Sequence, residues 1–117
     1  MALMVEPAPL HLNKHSKIYI RVTIRNEGKK MIALRFNTTQ QIELFLLDQG
    51  GKQMARWSSN YHFEPTYTAL TINPGERAEF EETLSTKGMK PAIPYILQLS
   101  VPGYPELTVR SSVRPLP

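Results

Sequence analysis

Apolar and polar residues alternate along several short segments of the chain, which is the pattern of strands with one buried face. The clearest case covers residues 17–25, where isoleucine or valine occupies every second position. A nearly continuous apolar run over residues 42–47 instead favours a central strand that is covered on both faces. That run is followed by the Gly-rich sequence 48–52 and a second β-prone segment, 53–57, so the two segments predict a hairpin.

Further strands are predicted at spacings of about ten residues, each bounded by turn-forming residues. They cover residues 31–36, 66–72, 77–84, 95–101 and 107–113. The strand at 77–84 has one exception to its alternation, because Glu82 has the same parity as the apolar residues Phe80 and Leu84. A β-bulge near Glu81 and Glu82 would shift the register and return Glu82 to the solvent face.

Two connections have strong turn signals. In Asn73-Pro74-Gly75-Glu76, proline presets φ at the second position and glycine accepts a positive φ at the third. Residues 26–30 are predicted to turn as well, with Asn26 and Gly28 as the residues that tolerate a positive φ.

The number and spacing of these segments predict an all-β protein, an immunoglobulin-like antiparallel β-sandwich of seven to eight strands. We expect residues 17–114 to form a single domain. An N-terminal arm, 1–16, either adds an edge strand or stays outside the sheets, and 115–117 form a C-terminal tail. A chain of 117 residues with 41% hydrophobic content can bury a core without disulfide or metal cross-links. It has no cysteine, which excludes disulfides and thiolate metal sites.

Candidate chemistry is sparse. His11 and His15 are four residues apart, a spacing that suits zinc on a helix, but only His62 could supply a third ligand, so we expect exposed arm histidines and no metal. Ser58, Ser59, His62 and Glu64 contain the groups of a hydrolase triad without a nucleophile elbow or oxyanion donors. The sequence therefore predicts a protein that is not an enzyme and uses no cofactor.

The net charge of +4 indicates a mild preference for acidic partners. Lys17, Arg21 and Arg25 share the outward face of one strand and could form a nucleic-acid patch. Glu79 and Glu81 have the outward parity of a later strand, and we expect that strand to be a neighbour, so that the charges pair across strands. This expectation argues against nucleic-acid binding.

The chain has no basic n-region, and its first apolar run ends at Glu6, too early for a secretion signal. No segment approaches transmembrane length, so we expect no membrane partner. If Met1 is the natural start, a cytoplasmic protein is expected, whereas a trimmed secreted form would have the same sequence. The oligomeric state is not indicated.

A set of short motifs follows in a fixed order along residues 18–101. The set comprises a strand ending in Asn26, then Leu34-Arg35-Phe36, Thr39-Gln40-Gln41-Ile42-Glu43-Leu44, Leu47-Asp48, Gly51-Lys52, Arg56-Trp57-Ser58, Phe63, Leu70, Pro74-Gly75-Glu76 and Tyr95. This order resembles the intracellular proteinase inhibitor family, often called BsuPI-like. The chain departs from that family at Leu84, where tryptophan is common, and at residues 91–93, which look like an insertion.

The resemblance implies a small immunoglobulin-like domain without catalytic activity, whose founding member is described as an inhibitor of an intracellular serine protease. The expected function is therefore a non-catalytic binding domain that inhibits or regulates a serine peptidase, with a subtilisin-like protease as the partner. The alternative is a structural or protein-interaction module of a larger assembly, such as one at the cell envelope, that pairs through an exposed sheet edge.

An inhibitor that binds as a substrate needs a rigid, exposed, extended segment. Residues 88–94 carry two prolines, and Met89 or Lys90 could fill a specificity pocket. Residues 102–105 present Tyr104 between Pro102 and Pro105, a bulky anchor of the kind found at binding hot spots. Met89, Lys90 and Tyr104 are thus the candidate protein-binding residues, and the alternative for both segments is an ordinary turn.

Overall fold

A computed structural model of the protein describes residues 1–117 as nine strands in three antiparallel sheets, with one short 3-10 helix at Trp57–Asn60. The strands are β1 (Ala2–Glu6), β2 (Lys17–Arg25), β3 (Ile32–Phe36), β4 (Glu43–Leu47), β5 (Gln53–Arg56), β6 (Thr68–Ile72), β7 (Arg77–Ser85), β8 (Tyr95–Val101) and β9 (Tyr104–Val113). The predicted all-β class is confirmed. The strand beyond the predicted seven or eight is β1, which lies in the arm and pairs with β2.

Two of the sheets stack face to face around the main core. One has the strand order β1-β2-β7 and the other the order β5-β4-β8-β9. Ile18, Ile20 and Val22 of β2 are buried between them, together with apolar residues of β4 and β8. β4 has a hydrogen-bonded strand on each side, as its continuous apolar run predicts. The predicted hairpin of β4 and β5 is confirmed as well.

The β-bulge expected near Glu81 and Glu82 is absent. The register between β2 and β7 runs without interruption and places Glu82 directly opposite Ile20. Residues that pair directly across an antiparallel ladder lie on the same face of the sheet. Glu82 therefore lies on the face that carries the buried Ile20, and the local pairing of β7 outweighs the cost of bringing a carboxyl group there.

The third sheet is a two-stranded ribbon, β3 with β6, that continues the pairing of β2 with β7. Beyond the last pair of the β2–β7 ladder, the Asn26 backbone N–H donates to the Glu76 carbonyl at 3.0 Å, and the Gly75 N–H donates to the Asn26 carbonyl at 2.9 Å. The segment that follows β2 and the segment that precedes β7 then pair with each other as β3 and β6. A second, smaller core of five buried residues fills this end: Ile24, Leu34, Phe36, Ile72 and Val101.

The Asn26 side chain fixes the joint between the two ladders. It is 1% exposed, its amide nitrogen donates to the carbonyls of Lys30 and Ile72 at 2.8 Å each, and its amide oxygen accepts from the Gly28 N–H at 3.0 Å. Residues 26–30 connect β2 to β3 without a positive φ at Asn26 or Gly28, so the conformational tolerance of these two residues is not used here. Residues 73–76 do form the predicted turn, with Gly75 at φ 80° and the Glu76 N–H donating to the Asn73 carbonyl at 2.9 Å.

The connections of the sandwich fall into two groups at opposite ends. The ribbon end contains the β3–β6 ribbon, the 3-10 helix and the β8–β9 turn, and the Tyr95 end contains residues 48–52 and 86–94. At the Tyr95 end the arm lies against the C-terminus, where the Leu12 N–H donates to the Leu116 carbonyl at 2.9 Å. None of the helical segments has the length or apolar character needed to cross a bilayer.

Candidate functional site

Met89 lies in the main core and not on the surface. It is 8% exposed and belongs to the same buried cluster as Ile18 and Leu97. The Met89 N–H donates to the Thr86 carbonyl at 3.0 Å, and Gly88 adopts φ 90°, so a tight turn directs the methionine inward. The expectation that Met89 is an exposed specificity residue is therefore wrong: its flexible apolar side chain fills the core beneath the loop.

Tyr104 is half-buried at the start of β9 and contacts the ribbon. Its ring packs edge-on against Phe36, with centroids 6.0 Å apart. Its hydroxyl oxygen accepts the backbone N–H of Arg35 at 2.7 Å. The side chain thus covers one edge of β3, where it satisfies an amide that β6 does not reach.

Lys90 is exposed, as expected, but it is far from Tyr104. The loop that carries Lys90 precedes β8, and Tyr104 follows the turn after β8, so a seven-residue strand of about 20 Å separates the two positions. The structure does not bring the three candidate residues together on one surface. A binding role for Lys90 or Tyr104 stays a prediction.

A group of aromatic residues lies at the ribbon end, in the segment 57–67. The rings of Trp57, Tyr61 and Phe63 form a cluster with centroid distances of 4.7 to 6.4 Å. Trp57 is buried, Phe63 is half-buried and Tyr61 is 48% exposed. Tyr67, later in the same segment, is 82% exposed, the highest value among the large apolar and aromatic side chains.

The chain around Tyr67 is fastened on both sides to the same neighbouring segment. Before it, the Thr39 N–H donates to the Glu64 carbonyl at 3.1 Å, and the Glu64 N–H donates to the Thr39 hydroxyl at 3.0 Å. After it, the Thr68 hydroxyl donates to the Thr38 carbonyl at 2.7 Å. Residues 65–67 therefore form a short arch between fixed points, and Pro65 further restricts its backbone.

A buried carboxylate, Glu43, holds the base of this end. Glu43 is 5% exposed and accepts hydrogen bonds from the Ser58 hydroxyl at 2.6 Å, Arg56 Nε at 3.0 Å and Gln40 Nε2 at 3.0 Å. Burial alone would raise the pKa of Glu43, but the hydrogen bonds from Ser58, Arg56 and Gln40 together outweigh it and hold the pKa below its usual value. The network ties β4 to the 3-10 helix.

A second acidic group, Glu82, is partly buried and lies near Trp57. Trp57 Nε1 is buried and makes no regular hydrogen bond. Burial raises the pKa of Glu82, and the indole N–H of Trp57 opposes that rise, although its geometry falls short of a regular hydrogen bond. Glu82 and Glu43 are thus perturbed in opposite directions because only Glu43 has several donors around it.

The residues with triad-like or metal-like composition have other roles. Ser58 donates its hydroxyl to Glu43, while His62 faces Glu64 at 3.3 Å on the open surface. His11 and His15 do not lie on a helix: His15 Nδ1 accepts the His11 backbone N–H at 3.0 Å. Both histidines are partly buried, so the expectation of exposed arm histidines is wrong. No group of three His, Cys, Asp or Glu side chains is close enough together to hold a metal ion.

The charged face of β2 is partly neutralised, as expected from the neighbouring strand. Arg21 pairs with Glu81 of β7 at 2.9 Å across the strands. Glu79, however, pairs with Arg77 of its own strand at 3.1 Å, and Arg25 lies opposite Arg77. A shallow recess of about 430 Å³ on this face is lined by Arg21 and Glu81, whose charges already satisfy each other.

Sequence reasoning missed Glu43 and Tyr67 as important residues. Glu43 stands inside an apolar run, and the polar residues that surround it in space, Arg56 and Ser58, come from a later strand and helix. Tyr67 had a local signal, since it follows Pro65 and lies between two threonines, but its exposure depends on how β6 joins the ribbon.

Comparison with known proteins assigns the chain to a family. A search of curated proteins finds no match to the chain. The sequence profile described as BsuPI, intracellular proteinase inhibitor, matches residues 9–104, which is well over half of the chain and runs from the arm to Tyr104. The matched range contains both the Glu43 network and the Tyr67 arch. The chain therefore belongs to the intracellular proteinase inhibitor family.

Proposed function

We propose that this protein is a non-catalytic inhibitor of an intracellular serine protease. The observation that carries the proposal is the match of residues 9–104 to the intracellular proteinase inhibitor family. The matched range includes every strand from β2 to β8, so it covers the scaffold as well as the loops at both ends.

Local chemistry supports a binding role and not a catalytic one. A nucleophilic serine needs a base within hydrogen-bonding reach of its hydroxyl. Ser58 belongs to the most triad-like group in the chain. Its hydroxyl instead donates to the Glu43 carboxylate, which also accepts hydrogen bonds from Arg56 and Gln40. His62 is 83% exposed and faces Glu64, so it is not oriented toward Ser58 by a buried partner.

The rigidity of the ribbon end supports inhibition. An inhibitor gains affinity when the segment that enters the protease is already ordered, because little conformational entropy is lost on docking. The arch at 65–67 has hydrogen-bonded anchors on each side, and the Glu43 network fixes the helix that leads into it. A rigid segment also resists hydrolysis when it occupies the cleft.

The proposed partner is a subtilisin-like serine protease in the same compartment, the cytoplasm. The family description supplies the protease and the intracellular setting. The subtilisin-like specificity fits an exposed aromatic residue, since such enzymes have broad pockets that take large apolar side chains. The net charge of +4 would favour a protease with an acidic rim around its cleft.

The test is a titration of purified protein against a subtilisin-like, a chymotrypsin-like and a trypsin-like protease with small chromogenic substrates. We expect sub-micromolar inhibition of at least one of the first two enzymes, with the inhibitor intact by mass spectrometry afterwards. Rapid cleavage of the protein without inhibition of any of the three would contradict the proposal. That result would favour the alternative of a structural or protein-interaction module.

A further inference from the structure

We propose that Tyr67 is the side chain that enters the specificity pocket of the target protease, with the backbone of β6 paired along the enzyme's substrate cleft. The target is then a serine protease whose pocket takes a large aromatic residue. This inference rests on the proposed function, because it assigns the contact by which inhibition occurs.

The side chain of Tyr67 is presented and not packed. It is 82% exposed, whereas the other candidate anchors are constrained: Met89 lies in the core and Tyr104 is half-buried with its hydroxyl engaged. Tyrosine provides a large contact area with few rotatable bonds, which is why it is enriched among binding hot spots. A rigid aromatic side chain on a fastened arch meets the first requirement of a substrate-like inhibitor.

The backbone beside Tyr67 provides the second requirement, an open strand edge. β3 and β6 form a two-stranded sheet, so β6 has a partner on one side only. The N–H of Arg35 in β3 donates to the Tyr104 hydroxyl and not to β6, and Arg35 is the residue opposite Ala69. In an antiparallel pair that does not exchange hydrogen bonds, both residues direct their backbone groups away from each other. The N–H and carbonyl of Ala69 therefore point to the open edge.

An extended edge of this kind can accept a strand from another protein by β-strand addition. Substrates lie in serine proteases as extended chains that pair with the enzyme, so Tyr67 followed by the open edge at Ala69 resembles a bound substrate in both side chain and backbone. Tyr67 and Ala69 are two residues apart and share the same strand parity, which directs their backbone groups to the same edge.

The loop that carries Lys90 lacks these properties. The Met89 N–H donates to the Thr86 carbonyl, the Lys90 N–H donates to the Tyr95 hydroxyl at 2.7 Å, and the Ala92 N–H donates to the Pro115 carbonyl at 2.8 Å. Three successive donors along this loop are thus satisfied within the protein. They cannot pair with an enzyme strand unless the loop opens.

The experiment compares inhibition constants of wild type, Tyr67→Ala, Tyr67→Arg and the control Lys90→Ala against subtilisin-like, chymotrypsin-like and trypsin-like proteases. Because Tyr67 is exposed, its variants should unfold at the wild-type temperature. We expect Tyr67→Ala to weaken inhibition by roughly 30-fold or more, the scale of a hot-spot residue, and Lys90→Ala to change it less than about 3-fold. Tyr67→Arg should shift inhibition toward the trypsin-like enzyme.

A further variant, Ala69→Pro, tests the backbone pairing. Proline removes the outward N–H of an edge strand without removing a ladder hydrogen bond, so folding should be kept while inhibition weakens by roughly 10-fold or more. Wild-type inhibition that survives Tyr67→Ala would overturn this inference and leave the proposed function standing. A wild-type protein that inhibits none of the enzymes would overturn the proposed function, and the inference with it.

Discussion

The hydroxyl oxygen of Tyr104 lies 2.7 Å from the backbone nitrogen of Arg35, and this contact closes the outer edge of β3. The same contact shows which backbone groups of the ribbon face outward, and it leaves β6 as the edge that is free to pair. Tyr104, selected from the sequence as a binding anchor, therefore has a structural contact with β3, and its binding role stays a prediction.

We predict that Tyr104→Phe lowers the free energy of unfolding by about 1 kcal/mol, because the Arg35 N–H loses its acceptor while the ring contact with Phe36 is kept. Chemical denaturation measures the change. Tyr19→Phe, at an exposed tyrosine, is the matched control and should change stability by less than about 0.5 kcal/mol. Equal effects from the two substitutions would contradict the assigned role of Tyr104.

A substitution of Asn26 should change the free energy of unfolding by more. Asn26→Ala removes three side-chain hydrogen bonds at a buried joint and leaves the carbonyls of Lys30 and Ile72 without their donor. It should lower the free energy of unfolding by about 3 kcal/mol. Asn37→Ala, at an exposed position, should have almost no effect. A thermal unfolding midpoint that is the same for both variants would show that the two ladders are held together by other contacts.

Much of the scaffold could be predicted because its signals are local. The alternation of β2 specifies its buried face and the apolar run of β4 predicts a central strand, and the burial of β2 and the two strand partners of β4 confirm these predictions. Glu82 could not be placed from the sequence because its position depends on pairing between distant strands, and Met89 could not because a local turn directs it into a core made by distant residues. The unbroken β2–β7 register brings Glu82 inward, and a turn at Gly88 brings Met89 into the core.

The candidate site was even less predictable. Pro-rich composition made the loop before β8 resemble a binding segment with free backbone groups, but its backbone N–H groups donate to Thr86, Tyr95 and Pro115. Composition does not show whether backbone donors are satisfied. The exposure of Tyr67 likewise follows from the anchors at Thr38 and Thr39, which are more than twenty residues away in the sequence.

The Glu43 network should stabilise the fold in a pH-dependent way. The folded-state pKa of Glu43 is lowered, so its contribution is fully present above the unfolded-state pKa of about 4.3 and is lost as the pH falls through the folded-state value. Glu43→Gln should lower the free energy of unfolding at pH 7 by about 2 kcal/mol, because the NH₂ group of the new amide would face the hydrogen-bond donors of Ser58 and Arg56. This difference should shrink below about pH 4.3.

Denaturation curves at several pH values measure that difference. Glu106→Gln, at an exposed glutamate, is the control and should leave stability within about 0.5 kcal/mol of wild type at each pH. If the gap between wild type and Glu43→Gln stayed constant from pH 7 to pH 3, the carboxylate would not be the group that the network holds.

The contribution of Glu82 to the pH dependence of stability should have the opposite sign. Its folded-state pKa is raised, so the folded state binds a proton more tightly than the unfolded state, and stability falls as the pH rises from about 4.3 through the folded-state pKa. Glu82→Gln removes this cost while keeping an acceptor near Trp57. We predict that it raises the unfolding temperature at pH 7 and has little effect near pH 3.

The control for Glu82 is its neighbour Glu81, which is exposed and pairs with Arg21. Glu81→Gln should lower stability slightly, by less than about 1 kcal/mol, as is usual for a surface ion pair. A loss of stability for Glu82→Gln at pH 7 would mean that the charged carboxylate has a stabilising partner and that the assigned direction is wrong.

The central claim is that the ribbon end, and not the Tyr95 end, binds the protease. Hydrogen exchange of the inhibitor, free and bound to a catalytically inactive subtilisin-like protease, tests it most directly, because strand addition protects the amides that point to the open edge. The account predicts strong protection at Tyr67 and Ala69 on binding and unchanged exchange at residues 86–94. Protection confined to residues 86–94, with Tyr67 and Ala69 exchanging as in the free protein, would contradict it.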